Sequence, residues 1–150
     1  MDCFFIWGIK CILKKRVRQI RILPTSSDDF DFEDEEAMKN FFTNKLPSDG
    51  KFHFFKNNIA EPEGTLILFQ YNNSIVASGI MEDRNDTMEK GYNGYYIFNK
   101  NSINLLSRPI SKDELKDEDV GFERFGNTAA EIKMKYFREI NNLLDEHIED

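Results

Sequence analysis

The sequence contains few residues of the kinds that bind metals or cross-link a small domain. It has only two cysteines, Cys3 and Cys11, and two histidines, His53 and His147. The cysteine spacing matches no paired-ligand metal pattern, and a disulfide framework would need more cysteines. We therefore expect no metal site, no cofactor, and a reducing, cytoplasmic setting.

Long apolar runs are also absent. No stretch approaches the roughly eighteen apolar residues of a membrane-spanning helix, and we expect no membrane association. Residues 1–16, MDCFFIWGIKCILKKR, differ from a signal peptide because the basic residues follow the apolar stretch. The sequence shows no Gly-rich phosphate loop, nucleophile elbow or metal-ligand spacing. Whether the chain is an enzyme stays open, and a binding protein is favoured.

Length and charge are those of a small acidic domain. At 150 residues the chain fits a single domain, 1–150, with a proper core. The net charge of −7 argues mildly against non-specific nucleic-acid binding, because Lys and Arg supply most of the affinity for phosphates. The start of the chain is nevertheless basic, whereas residues 28–36, DDFDFEDEE, are strongly acidic. We place an acidic loop at 25–35.

Apolar patterning predicts strands, one helix, more strands, and then helices. RVRQIRIL reads as a strand with a basic side, DEEAMKNFFTNKL as a helix stopped by Pro47, and KFHFF as a short strand. EGTLILFQYNNSIVASGIM predicts a hairpin that turns at NNS. Its nearly continuous apolarity indicates that both faces of the hairpin are covered.

The second half predicts a polar loop, EDRNDTMEKGYNG, and then a pair of strands, YYIFN and INLLSRPI. Ser111 and Glu114 form a capping-box pattern at a short helix, and Thr128 and Glu131 form another before a helix of about 20 residues. The fold class is α+β. We expect a small, mostly antiparallel barrel of about five or six strands, flanked by helices and closed by the long C-terminal one.

Three stretches lie within roughly the last 100 residues: EPEGTLILFQYNNSIVASGIMEDR, YYIFNKNSINLLSRPISKDEL and FERFGNTAAEIKMKYFREINNLL. Together they resemble the PUA-like superfamily, most of all its EVE-type and restriction-associated branches. The shared pattern is a Gly before an apolar strand, a strand with a small-residue-and-Gly step, a Tyr-rich strand, RPI and a closing helix. The resemblance implies a barrel that binds nucleic acid, in several branches by taking a flipped, modified base into an aromatic pocket.

The candidate site residues fall into two sets. Trp7, Tyr71 and Tyr95, from a wider aromatic group with Tyr92 and Tyr96, would stack on a base. Lys14, Arg16 and Arg18 on the basic strand, with Arg108 as a second candidate, would hold phosphates. Each set also has a structural interpretation: the aromatic rings would pack in and around the barrel, and the basic residues would line a solvated strand face or pair with acids.

Three functions remain open at this point. The favoured one is a non-catalytic domain that binds DNA or RNA, with recognition of a modified base as a finer expectation. The rival is a protein-interaction or regulatory protein that uses the acidic run, with Phe30 and Phe32 set in it. The third is a ribonuclease of PUA-like fold. EIK at 131–133 resembles the tail of a metal-dependent nuclease motif, but we place it in the first turn of the last helix and discount it.

Overall fold

The computed structural model of the protein describes residues 17–25, 32–126 and 130–148. Trp7, Lys14 and Arg16 of the predicted site lie outside these residues, as does Phe30 of the acidic run.

Seven strands and three helices are found in the described ranges, besides two short 3-10 turns. The strands are β1 (Gln19–Pro24), β2 (Lys51–Phe54), β3 (Thr65–Tyr71), β4 (Ser74–Asn85), β5 (Gly94–Phe98), β6 (Asn104–Ser111) and β7 (Ala130–Ile132). The helices are α1 (35–49), α2 (Lys112–Asp117) and α3 (Phe137–Ile148). Within α1, the segments Glu35–Asn40 and Leu46–Asp49 are α-helical, and Phe41–Lys45 between them is π-helical.

The predicted hairpin is confirmed in β3 and β4. Asn72 and Asn73 both have positive φ, 55° and 63°, as a tight two-residue turn between antiparallel strands requires. Every residue of β3 except Tyr71 is buried. Leu66 and Leu68 pack on one side of the sheet with α3, whereas Ile67 and Phe69 pack on the other with α1. Both faces of the hairpin are therefore covered, as its apolarity predicted.

The strands form one seven-stranded sheet in the order β2-β5-β4-β3-β1-β7, and β6 also pairs with β4. One edge of the long β4 has two neighbours: β6 lies along 74–78 and β5 along 81–85. The predicted strands YYIFN and INLLSRPI both exist, but they pair with β4 instead of with each other. β4 also extends to Asn85, into the segment that was predicted to be a polar loop.

The sheet is not closed into a barrel, so that prediction is wrong. Within the described ranges, β2 and β7 stand at opposite ends of the strand order and do not pair. The sheet is a middle layer with an apolar core against helices on each face, whereas a barrel encloses a single interior. The α+β class and the mostly antiparallel pairing are confirmed, with β1 and β3 as the parallel exception.

The helix ends differ from those predicted. α1 continues through Pro47 to Asp49, and Gly50, whose φ is +72°, follows as its C-terminal cap. The capping box of Ser111 and Glu114 at α2 is confirmed. No helix in the described ranges is long and apolar enough to cross a membrane.

The C-terminal helix is shorter than predicted. α3 begins at Phe137, whereas Glu131 belongs to β7 and lies opposite Arg21 of β1. The prediction that Glu131 lies in the first turn of this helix is therefore wrong, and Thr128, the predicted cap, lies outside the described residues. The EIK segment begins on a strand after all, but its cross-strand neighbour is Arg21 and not the second acid that nuclease chemistry needs.

A candidate aromatic binding surface

One end of the sheet carries polar and aromatic side chains on a face that the helices leave uncovered. In β2 and β5 alternate residues are buried, and Phe52, Phe54 and Tyr96 pack with α1. By strand alternation, Lys51, His53 and Tyr95 lie on the opposite face. The core that α2 and α3 form on that face includes no residue of β2 or β5. In the described part of the chain, this end of the sheet therefore lacks a helical cover.

A tight hairpin brings two further residues to the same place. The backbone N–H of Glu89 donates to the backbone oxygen of Tyr92 at 3.1 Å, and the N–H of Tyr92 donates to the backbone oxygen of Glu89 at 2.9 Å. Between them Lys90 and Gly91 adopt φ of 55° and 86°, the positive values that this turn type demands and that favour glycine. The sequence interpretation placed this hairpin within a structureless polar loop. The signal that was missed in the sequence is the pair Lys90 and Gly91 between Glu89 and Tyr92, which is typical of a two-residue turn.

Four rings follow one another across this face, and we call Phe55, Tyr92, His53 and Tyr95 the aromatic row. The ring centroids of Phe55 and Tyr92 lie 4.6 Å apart. Those of His53 and Tyr92 lie 5.3 Å apart, and those of His53 and Tyr95 lie 5.4 Å apart. Phe55 is 40% exposed and the tyrosines are half-buried. The row is thus an accessible aromatic surface and not part of the core.

A hydrogen-bonded cluster of Lys51, His53 and Glu89 lies against the row. Glu89 Oε2 is 3.0 Å from His53 Nε2 and 3.1 Å from Lys51 Nζ, which also lies 4.6 Å from the centroid of the Tyr95 ring. Hydrogen bonds from His53 and Lys51 hold the pKa of Glu89 below its ordinary value. The hydrogen bond to Glu89 likewise raises the pKa of Lys51. Lys51 and Glu89 are therefore both charged at neutral pH, and their charges cancel locally.

Of the predicted stacking residues, Tyr95 lies in the aromatic row and Tyr71 lies far from it. Tyr71 pairs with Ser74 at one end of β4, and Tyr95 pairs with Asn85 at the other. The eleven residue steps from 74 to 85, at roughly 3.3 Å each, put about 35 Å between them. Tyr71 instead packs against Phe32, with ring centroids 5.6 Å apart. The two tyrosines cannot sandwich one base.

Tyr96, from the wider aromatic group, has a structural role. It is 1% exposed, and its hydroxyl donates to Asn57 Oδ1 at 2.5 Å and accepts from the backbone N–H of Asn58 at 3.1 Å. Burial raises the pKa of this phenol. Its ring belongs to the core that α1 covers. Tyr96 is therefore a packing residue and not a member of the stacking surface.

The predicted phosphate-binding arginines have intramolecular contacts. Arg18 is exposed, with Nη2 3.9 Å from a carboxylate oxygen of Glu61, and it lines an open groove of about 380 Å³ in which Glu63 and Glu82 also lie. Arg108 Nη1 lies 3.6 Å from Glu114 Oε2. In sequence, the exposed cations nearest the row are Lys56, beside Phe55, and Lys90, in the hairpin.

The described ranges contain no group of three or more His, Cys, Asp or Glu side chains that could hold a metal ion. Lys51, Phe55 and Glu89 were missed in the sequence as members of a site. The alternation of KFHFF, with Lys and His on one face and two Phe on the other, was the signal that could have identified Lys51.

No protein-family model and no curated protein matches the chain. Among solved structures, it is similar to a mutant form of the ZmASCH protein from Zymomonas mobilis. The two are 13% identical, the match covers 84% of this chain and 99% of that one, and the TM-score is 0.49.

Proposed function

We propose that the chain is a non-catalytic, PUA-like nucleic-acid-binding domain that stacks an unpaired base on the aromatic row. The observation that carries this proposal is the row itself, with four neighbouring rings on the part of the sheet face that has no described helical cover. Aromatic side chains on an open sheet face are a general platform for single-stranded nucleic acid, because every base has a π face.

The charges near the row favour binding through stacking more than through phosphate contacts. Lys51 is neutralised by Glu89, which leaves Lys56 and Lys90 as exposed cations close to the row in sequence. Each phosphate contact with a single strand contributes about −0.7 to the slope of log affinity against log salt. Two contacts predict a slope near −1.4, much shallower than that of a strongly basic domain.

The test is a titration of fluorescently labelled single- and double-stranded DNA and RNA, followed by anisotropy at two salt concentrations. Stacking contributes about 1–3 kcal/mol per base, so Tyr92→Ala should weaken single-strand binding about 5- to 150-fold. Tyr71→Ala is the matched control, since Tyr71 is also half-buried but lies at the far end of β4. Phe55→Ala repeats the test at the most exposed ring of the row.

Circular dichroism of each variant separates lost binding from lost folding. Equal losses for Tyr92→Ala and Tyr71→Ala would contradict the aromatic row as the site. If the wild-type chain binds none of the oligonucleotides, the proposal fails and the rival function gains, in which a protein partner docks on the acidic surface. Phe32, which lies in the acidic run 28–36, packs against Phe41 of α1, with the two ring centroids 5.5 Å apart. Metal-free cleavage of the RNA probes would instead support the ribonuclease.

A preference for a modified base belongs to the same proposal, on the strength of the resemblance to EVE-type domains. Modified and plain oligonucleotides of one sequence, compared in the same titration, test it directly. The intrinsic fluorescence of Trp7 can be followed at the same time, because it is the chain's one tryptophan. Quenching would keep Trp7 among the proposed contact residues, and replacing Lys14 and Arg16 by Gln would test the proposed phosphate contacts separately.

A further inference from the structure

We propose that His53 Nδ1 is a hydrogen-bond acceptor that selects bases with an N–H donor on the edge presented to the aromatic row. This inference rests on the proposed function, because it concerns the base that the row stacks. It makes His53 a specificity residue at the centre of the row, between Tyr92 and Tyr95.

The hydrogen-bonding role of each His53 nitrogen follows from its partner. Nε2 lies 3.0 Å from Glu89 Oε2, and an ionised carboxylate can only accept. Nε2 therefore carries the hydrogen. In a neutral imidazole the other nitrogen then has a free lone pair and can only accept. Glu89 thus fixes one tautomer of His53, and that tautomer offers Nδ1 as an acceptor.

Nδ1 is available to a ligand. No described residue hydrogen-bonds to it, and 11% of the His53 side chain is exposed. The ionisable groups around the ring are Glu89 and Lys51, which bind each other, and the phenols of Tyr92 and Tyr95. A phenol both donates and accepts, so it discriminates less between base edges than a nitrogen that only accepts.

The chemical class of ligand follows from this geometry. An acceptor beside a stacking surface fits the exocyclic amino group of adenine, cytosine or guanine. Adenine and unsubstituted purine form the sharpest pair of probes, because they share the ring system and differ by the amino group. A base without the donor would leave Nδ1 desolvated and unpaired, which typically costs a factor of about 5 to 150 in affinity. Because the His53 side chain keeps some exposure to solvent, we expect the lower end of that range.

The experiment compares two single-stranded oligonucleotides that differ by adenine or purine at one central position, titrated at pH 8. The wild-type chain should bind the adenine probe about 5- to 10-fold more tightly. His53→Phe keeps a ring in the row and removes the acceptor, so it should bind the two probes equally. His53→Gln, whose amide oxygen can accept, should restore part of the preference.

The outcomes separate this inference from the proposed function. If neither probe binds, both proposals fail. If both bind the wild-type chain equally, or if His53→Phe keeps the preference for adenine, the role of His53 is refuted while base stacking stands. Nitrogen NMR of the wild-type histidine ring gives a test that needs no variant. The Nδ1 signal should shift on binding the adenine probe, and an unchanged signal would also overturn the inference.

Discussion

Replacing Glu114 by glutamine should lower the free energy of unfolding, because it weakens the contact between α3 and the neighbouring α2. His147, in the last turn of α3, is fully buried. Its Nδ1 lies 2.8 Å from the backbone oxygen of Arg108 in β6, and its Nε2 lies 2.9 Å from Glu114 Oε2 in α2. One side chain thus joins three elements.

The size of the effect follows from what glutamine keeps and what it loses. Glu114 Oε1 accepts from the backbone N–H of Ser111, and glutamine at this position preserves a capping box. The loss is the negative charge, both on the bond to His147 and in the weaker, more exposed pair with Arg108. Hydrogen bonds to charged groups contribute about 1.5–3 kcal/mol and neutral ones about 0.5–1.5. Because the Glu114 side chain is 37% exposed, we expect a loss of about 1 kcal/mol.

The same contact sets the direction of a pH dependence. Partial desolvation opposes ionisation of Glu114, but hydrogen bonds from Ser111 and the nearby His147 outweigh it and lower the pKa of this carboxyl. A carboxyl whose pKa is lower in the folded state adds stability above its unfolded pKa and loses it as pH falls through the folded value. The difference in the free energy of unfolding between the wild type and Glu114→Gln should therefore be largest near pH 7 and become smaller below about pH 4.5.

Urea unfolding followed by far-ultraviolet circular dichroism, repeated from pH 7 downwards, measures both effects. Glu118→Gln is the matched control, since it makes the same change in the exposed residue at the end of α2. Equal stability of the two variants at pH 7 would refute the reasoning. So would a deficit in Glu114→Gln that does not diminish at low pH.

Two further predictions concern β5 and the cluster of Lys51, His53 and Glu89. A Cβ on Gly94 would overlap the backbone oxygen of Asn85, so Gly94→Ala should destabilise the fold by about 1–3 kcal/mol or more, which urea unfolding measures; an unchanged midpoint would contradict this packing. Lys51→Met removes one of the two hydrogen bonds that lower the pKa of Glu89, so that pKa should rise toward its ordinary value while the bond from His53 keeps it below. Carbon NMR of the Glu89 carboxyl follows the titration, and an unmoved curve would show that Lys51 is not its partner.

The parts of the fold that were predictable from sequence are those that local chemistry decides. The turn at Asn72 and Asn73 and the capping box of Ser111 and Glu114 each involve residues within three positions of one another. The burial of both faces of β3 was equally readable from sequence, because four consecutive residues, 66–69, are large and apolar. Such signals do not depend on where the rest of the chain lies.

The wrong predictions depend on distant partners. Glu131 fits a capping box by its spacing, yet Ile132 pairs with Ile20 of β1, more than a hundred residues earlier, and the segment becomes a strand. Whether a sheet closes is likewise decided by its last strands, and no local pattern near β2 or β7 reports on that. Tertiary pairing overrides local preference in both places.

The candidate site shows the same limit. Tyr95 could be selected from composition, but its partners come from two other segments: His53 is 36 residues from Glu89, and Lys51 is 38 residues from it. The hairpin that brings Glu89 into position has its own local signal at Lys90 and Gly91. That signal predicts a turn, and the fold alone determines which strand the turn lies against.

The contrast between β3 and β2 explains why a binding surface arises at this end of the sheet. β3 is apolar on both faces, since α1 packs on one and α3 on the other. β2 alternates, with Phe52 and Phe54 buried while Lys51 and His53 stay partly exposed. A sheet with two helical layers thus loses one layer at its edge, and the charged residues there also protect an edge strand from pairing with other chains. Rings held on that rigid, half-covered strand pair are pre-positioned for a flat ligand, and the ordering cost of binding is correspondingly small.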